Sequence, residues 1–584
     1  MKNISNLGIL ESKIAKKWLL YVLLGVFSGL GAIFLYVLIN FFSVYLLNHV
    51  AGFPFKFPTN EKSLFALRNV PFKPILFLII ITLGGFLSGL MLYIFDDRES
   101  GVNKIIKYFH HKVIIRPKSA LIKLFASSIA LGSGFAGGRE GPAAEIGASI
   151  GSFIGNTFNV SNREKRILMI SGLAAGIGAI FRAPMGAAIF ATEVLYKEAD
   201  FEYEALMASA ISSITAYSVF SSLFGWERMF SVPTMYFYKP LELISYSVLA
   251  VAIAIGAILF IYLFKHAKLL TGMINYPIYV KTALGGLVVG LFGIFLPASA
   301  GMGYGLLEAA FTDPRNYFFL LMVGILRMFT TSVSAGSKTP VGLFAPLLII
   351  GALLGVGIGN LLKLSGIFVV VNPSSFAVVG MAAFLAACEK TPISSIVLTA
   401  EITGGYELIV PALWVVAIAF LLTRKVNLEE AQVDTRLDSL VHADEYKINI
   451  LEHIRVEELM ETKFLTINKN ETLKEIYDIF ANEKYNEILV LDENNKLYGI
   501  ITLHVLKTIL NESLLNNFLL AVDVANTDLI FVLPQESLYA LLNKIDFREI
   551  NTVPVVKSLE TMEVIGIIRR KAILRKISQG SINV

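Results

Sequence analysis

Apolar positions gather along this chain in runs long enough to cross a bilayer. Trp18 to Phe42, Pro74 to Ile94, Leu243 to Phe264 and Tyr317 to Val333 are each near the roughly 20 residues that a helix needs to traverse the hydrocarbon core. The pattern predicts transmembrane helices. Met1 to Lys17 is charged and shows no convincing cleavage site, so the first run is expected to be a retained span. From Glu429 onward Asp, Glu, Lys and Asn return at soluble frequencies. The expected organisation is a membrane domain over 1–428, a linker over 429–455, and two small units at 456–510 and 520–584.

Two repeats lie within this pattern. Gly172-Leu173-Ala174-Ala175 is followed by Pro184, twelve residues after Gly172, and by Glu193, nine further on. Gly380-Met381-Ala382-Ala383 leads to Pro392 and Glu401 at the same two intervals. A Gly/Pro-broken element precedes each, Gly138 to Pro142 in one case and Gly342 to Pro346 in the other. Paired interruptions of this kind point to a binding site near the bilayer midplane, where half-helix N-termini direct partial positive charge at an anion. The spacing alone leaves the relative orientation of the halves open. In the soluble zone the order helix-like Thr472 to Glu483, strand Ile488 to Leu491 and strand Tyr498 to Ile501 recurs as Ser537 to Ile545, Val553 to Val556 and Val564 to Ile568. Two half-domains packed as a pair account for that recurrence.

Candidate chemistry centres on Glu140, inside Gly138-Arg139-Glu140-Gly141-Pro142. An ionisable residue in a hydrophobic domain is costly and is usually functional. The Gly and Pro around it end one helix and begin another, leaving backbone N–H groups beside a carboxylate. That combination suits an anion that comes and goes. Composition agrees: of 584 residues 55% are hydrophobic and only 16% charged, where a soluble chain carries about a quarter charged residues. The net charge of +5 is too small and scattered for nucleic acid. A lone cysteine, Cys388, excludes an intramolecular disulfide framework. With seven His, no zinc-type spacing, no Gly-x-Ser-x-Gly and no Walker loop, an enzyme is not expected. An organic-anion transporter built on the same half-helix logic is the rival reading.

The motifs at 138–142 and 342–346, with the run from Gly380 to Gly404, resemble those of the CLC chloride channels and proton/chloride antiporters. The C-terminal repeat is similar to a pair of cystathionine-β-synthase-type (CBS) modules. The resemblance implies an all-α polytopic membrane domain, an inverted repeat with re-entrant and broken helices, and an α/β CBS pair. It also implies a homodimer in a prokaryotic inner or plasma membrane, with the CBS pair cytoplasmic, chloride and protons as the transported ions, and no required cofactor.

Residue by residue, the resemblance makes Glu140 the gating carboxylate. It brings the backbone of Gly141, Leu343 and Phe344 to the anion, and makes Ser100 a hydroxyl donor within Glu99-Ser100-Gly101-Val102-Asn103. The other reading of Ser100 is a helix cap. Glu429 stands where the family has its central tyrosine, so an aromatic donor has become an acceptor. Val194 stands at the inner proton-relay glutamate, which favours a passive channel over the antiporter alternative. Glu193, Glu198 and Asp200 are candidate substitutes, and for Glu193 a structural, salt-bridged role is the alternative. Arg139 is expected to be structural. Arg182 is expected either to raise the potential on the anion route or to snorkel to the interface. In the CBS pair the ribose-binding Asp is missing, and Arg569, Arg570 and Lys571 follow the last strand. A dimerisation and gating module is expected there, with adenine nucleotide binding as the alternative.

Overall fold

In the computed structural model, which describes residues 2–61, 63–230, 232–312, 316–442, 451–482, 485–510, 519–545 and 551–580, every long apolar run is a helix. The chain divides into two units, 1–441 and 442–584. Eight helices make the first half of the first unit: α1 Lys2–Phe42, α2 Pro74–Ile94, α3 Val102–His110, α4 Lys118–Gly132, α5 Glu140–Thr157, α6 Asn162–Phe181, α7 Pro184–Glu193 and α8 Tyr203–Phe224. Eight more make the second: α9 Glu242–Met273, α10 Ile278–Phe295, α11 Tyr304–Thr312, α12 Tyr317–Gly336, α13 Phe344–Ser365, α14 Pro373–Glu389, α15 Pro392–Thr403 and α16 Ile409–Leu422. Among the described residues, seven of these helices are long and apolar enough to cross a membrane.

The halves are equivalent and inverted. In one, α5 packs on α6 and α1 on α8; in the other, α13 packs on α14 and α9 on α16. Equivalent helices run in opposite directions. Tyr93, near the end of α2, meets the ring of Tyr279, near the start of α10, at 5.4 Å. At the other end Phe77, early in α2, fills the space beside Gly293, late in α10. The two broken elements touch where the halves meet: Gly138 N–H donates to Gly342 O and Gly342 N–H to Gly138 O, both at 2.8 Å.

The repeated acids close the same relationship. Glu193, the last residue of α7, accepts the N–H groups of Ile393 (2.9 Å) and Ser394 (2.8 Å) at the start of α15. Glu401, late in α15, accepts those of Met185 (3.2 Å) and Gly186 (2.7 Å) at the start of α7. Each carboxylate thus satisfies helix N-terminal donors that have no partner within their own helix. Glu193 is a cap and has no salt bridge among the described residues. The repeated glycines have a packing cause: a Cβ on Gly172 would collide with Gly147 O, and one on Gly380 with Gly351 O. Backbone approach of α6 to α5, and of α14 to α13, therefore requires glycine there.

Arg182 is buried and does not snorkel to the interface. It ends α6 in a left-handed conformation (φ 55°) and donates to the carbonyls of Glu227 (2.8 Å) and Phe224 (3.0 Å). Lys390, at the equivalent place after α14 (φ 63°), donates to Ala387 O (3.0 Å) and Thr423 O (2.6 Å). Residues 429–441, read from the sequence as the first part of a linker, pack in the first unit. Gln432 Nε2 donates to Val194 O (2.9 Å) and Glu389 O (2.8 Å), and Ser439 Oγ lies 2.7 Å from His110 Nδ1.

The second unit is two αβ half-domains. Strand β1 (Thr466–Asn468) pairs in parallel with β2 (Glu487–Leu491), which pairs antiparallel with β3 (Leu497–Thr502). In the second half β4 (Thr552–Val556) pairs antiparallel with β5 (Val564–Arg569). Both hairpins shift register at corresponding points, Val490/Leu491 and Val555/Val556. Helices Leu473–Asn482 and Leu538–Lys544 occupy the predicted places, and Glu483, at the end of the first expected helix, lies outside the described residues. Arg569 is engaged by Glu461 at 3.5 Å and by the ring of Tyr485 at 5.3 Å.

Candidate anion site

Glu140 opens α5, where the first turn leaves backbone donors unpaired. Its carboxylate is fully buried. Oε1 accepts the hydroxyl of Tyr304, the first residue of α11, at 2.7 Å. Oε2 has no hydrogen-bond partner among the described residues and lies against Gly138, close to Ala345 and Pro346 at the start of α13. The carboxylate thus sits between the N-terminal ends of two inverted helices. Tyr304 tethers it there through a hydrogen bond to a charged group, of a class worth about 1.5–3 kcal/mol. Tyr304→Phe is therefore expected to raise chloride efflux from liposomes by about tenfold, the rate equivalent of roughly 1.4 kcal/mol; an unchanged efflux would mean the tether does not hold the gate.

Arg139 points elsewhere. Its guanidinium makes a two-pronged pair with Glu61 (2.9 and 2.5 Å) and lies over the rings of Tyr36 (5.1 Å) and Tyr304 (5.2 Å). Glu61 belongs to the segment before α2, so this pair lies at the end of the unit where α2 begins.

A cavity of about 530 Å³ opens at the opposite end, where α2 finishes. Ser100, Gly141, Leu343, Phe344 and Glu429 all line it; Glu140, Glu193 and Val194 do not. Its inner wall is therefore the start of α13 and the residue after Glu140, so the cavity and the carboxylate lie on either side of the Gly141 turn. The Phe344 ring is fixed against Phe181 and Phe190, each at 5.0 Å. Around the mouth stand Arg98, Lys107, Lys268 and Lys338. Three are neutralised by neighbouring acids: Lys107 by Glu99 (2.7 Å), Lys268 by Glu430 (2.7 Å) and Arg98 by Asp96 (3.3 Å). Lys338 has no salt bridge among the described residues, and adds positive charge where an anion would approach.

The loop carrying Ser100 is held by buried charges. Lys123 Nζ donates to the carbonyls of Glu99 (2.7 Å) and Asp97 (3.2 Å). Lys104 Nζ bridges Asp97 (2.6 Å) and Glu145 (2.7 Å), and Glu145 Oε2 accepts Gly101 N–H at 3.2 Å. Gly101, not Ser100, is the residue that precedes α3, at φ 86°, and no side chain caps that helix. The half-buried Ser100 is left facing the cavity. The half-exposed side chain of Glu99, at the cavity's mouth, pairs with Lys107 at 2.7 Å.

The acids that lie near Val194 in sequence are occupied. Glu193 caps α15, Glu198 pairs with Arg424 (2.6 Å), and Asp200 accepts the N–H groups of Phe201 and Arg436, each at 2.8 Å. Val194 is fully buried, its carbonyl taken by Gln432. Sequence reasoning missed three residues: Tyr304, Glu61 and Glu389. The first two come from segments distant in sequence and carry no local motif. Glu389 was findable as a lone acid ending an apolar helix.

The family described as "Voltage gated chloride channel" matches residues 84–424, more than half of the chain, and the CBS domain family matches 456–511 and 521–579. The chain belongs to the CLC family. An uncharacterized protein of Methanocaldococcus jannaschii is 27% identical over 68% of this chain and 90% of its own length. The H(+)/Cl(-) exchange transporter ClcA of Vibrio cholerae is 32% identical over 50% of this chain, and the match spans 63% of ClcA. The solved structure of a slow cyanobacterial Cl-/H+ antiporter superposes with a TM-score of 0.61 at 22% identity, covering 70% of this chain and 94% of that one. At that identity the superposition establishes a shared CLC fold. The CLC fold, the CBS pair and membrane spanning are therefore properties of this chain.

Proposed function

We propose that this protein carries chloride along a path in each subunit of a homodimer, with Glu140 as the gate and Ser100, Gly141, Leu343 and Phe344 as the anion's neighbours. The reading rests on one observation: the N-terminal ends of α5 and α13, joined through Gly138 and Gly342, converge on the Glu140 carboxylate at one side and on the cavity at the other. A chloride held by backbone N–H groups and one hydroxyl is bound without a full positive charge, and so is released readily. Glu140 and chloride compete for the same electropositive spot. The Lys and Arg around the cavity support a cytoplasmic orientation for it in a prokaryotic membrane, and the CBS pair is read as cytoplasmic.

The preferred mode is passive conduction, because Val194 carries no proton and its neighbours in sequence, Glu193, Glu198 and Asp200, are engaged. The 32% identity to ClcA favours proton-coupled exchange as the second reading. Chloride efflux from reconstituted liposomes, with external pH recorded together, separates them. Passive conduction gives chloride movement with no opposing proton flux; protons entering as chloride leaves would establish exchange. Efflux suppressed by competing organic anions would instead favour the organic-anion transporter.

A further inference from the structure

Two carboxylates deep in the cavity are used by nothing described so far. Glu389 ends α14 and Glu429 follows α16; both line the cavity, both are buried, and each lies within the other's electrostatic reach. Glu389 Oε2 has no hydrogen-bond partner, and neither acid has a salt bridge among the described residues. The surrounding groups do not neutralise them. Lys390 spends its ammonium on the carbonyls of Ala387 and Thr423, and Cys388 is a buried thiol. Lys268 is shared with Glu430, while Lys104 is committed to Asp97 and Glu145. Towards the mouth, Arg98 and Lys107 are paired, Lys338 is exposed, and His111 Nδ1 bonds Lys107 O at 2.9 Å.

Two ionised carboxylates on the wall of an anion route repel both each other and the anion. Shared sites of this kind titrate as a pair. The site also adjoins Val194, since Gln432 Nε2 ties Glu389 O to Val194 O.

We propose that Glu389 and Glu429 form a second proton-binding site, separate from Glu140, whose protonation is linked to the binding of chloride from the cavity side. The proton comes from the bathing solution and rests on a carboxylate oxygen, and no bond other than O–H is made. Linkage is reciprocal: if a proton strengthens chloride binding by some factor, chloride strengthens proton binding by the same factor. The inference rests on the cavity being the chloride route.

Calorimetric titration of the full-length protein with chloride, in two buffers of different ionisation enthalpy, measures protons taken up per chloride bound. The wild type and Glu140→Gln are expected to take up protons. Glu389→Gln with Glu429→Gln is expected to lose that uptake, and to bind chloride about tenfold more tightly at neutral pH, one pKa unit's worth of linkage. Glu429→Gln alone, the change nearer the surface, is expected to lose part of the uptake and guards against a double variant that fails to fold. Unchanged uptake in these variants with chloride binding intact overturns the proposal, and assigns the proton to another group such as His111. A wild type that binds no chloride overturns the transport reading and this inference together.

Discussion

Glu140→Ala is expected to raise chloride efflux at least about tenfold and to remove the pH dependence that arises at this carboxylate. The carboxylate lies fully buried between the starts of α5 and α13, in a place that an anion would otherwise take. Removing it frees the backbone donors of both helix ends and releases the Tyr304 hydroxyl at the same time. Losing one hydrogen bond to a charged group already changes the balance by about 1.5–3 kcal/mol, and roughly 1.4 kcal/mol is a factor of ten in rate. Alanine cannot exchange a proton, so any pH dependence arising at this gate disappears, as does proton coupling if the wild type exchanges ions. Glu140→Gln separates charge from bulk: it keeps the side chain's volume, so its flux should fall between wild type and Glu140→Ala. Chloride flux that vanishes in Glu140→Ala at normal protein yield would show that the carboxylate supports the path instead of blocking it.

What the sequence made legible, and what it hid, follows from where each interaction lies along the chain. The spans and the duplication were readable because apolar run length and Gly/Pro spacing are local properties. Gly172 and Gly380 marked the repeat because each touches the backbone of the neighbouring helix, so both copies kept the same residue type. The inversion was not local. It appears only when Tyr93 meets Tyr279 and when Gly138 exchanges hydrogen bonds with Gly342, contacts between residues far apart along the chain. Glu193 and Glu401 were visible as the repeated acids, yet their reciprocal capping required knowing that α7 and α15 lie side by side.

Within the site, Gly141, Leu343 and Phe344 could be picked out because they sit at broken helix starts. Tyr304 and Glu61 could not: the first reaches Glu140 across 164 residues of chain and the second reaches Arg139 across 78. The loss of an aromatic donor at Glu429 was plain in the sequence. That Glu389 lines the same cavity as Glu429, within reach of its charge, is a property of the fold. In the second unit the alternation of helix and strand was readable to within a residue or two, since short amphipathic elements and turn residues define it.

Glu61→Ala is expected to be the most destabilising single change in the first unit and to slow chloride passage as well. Arg139 has at most 2% of its side chain exposed and Glu61 none, and their two-pronged contact is the guanidinium's only salt bridge among the described residues. Without Glu61 the guanidinium's remaining direct contacts among the described residues are the faces of Tyr36 and Tyr304, a long contact to Ile180 O (3.4 Å) and Met229 Sδ at 3.9 Å. Breaking a buried pair from one side typically costs about 3–5 kcal/mol, because the surviving charge is left uncompensated. Thermal unfolding in detergent should register that loss. Glu61→Leu combined with Arg139→Met should recover much of it, as no buried charge remains. The functional consequence comes from the next residue along. The Arg139 charge already acts on the Glu140 carboxylate, and with Glu61 gone that attraction is no longer shared, so the gate is held shut more firmly and efflux falls. Adding Glu140→Ala to Glu61→Ala should restore fast efflux while leaving the lost stability unrepaired. If efflux stayed low in that combination, Glu61 would be needed for the shape of the path, and the control of Glu140 by its neighbour's charge would have to be abandoned.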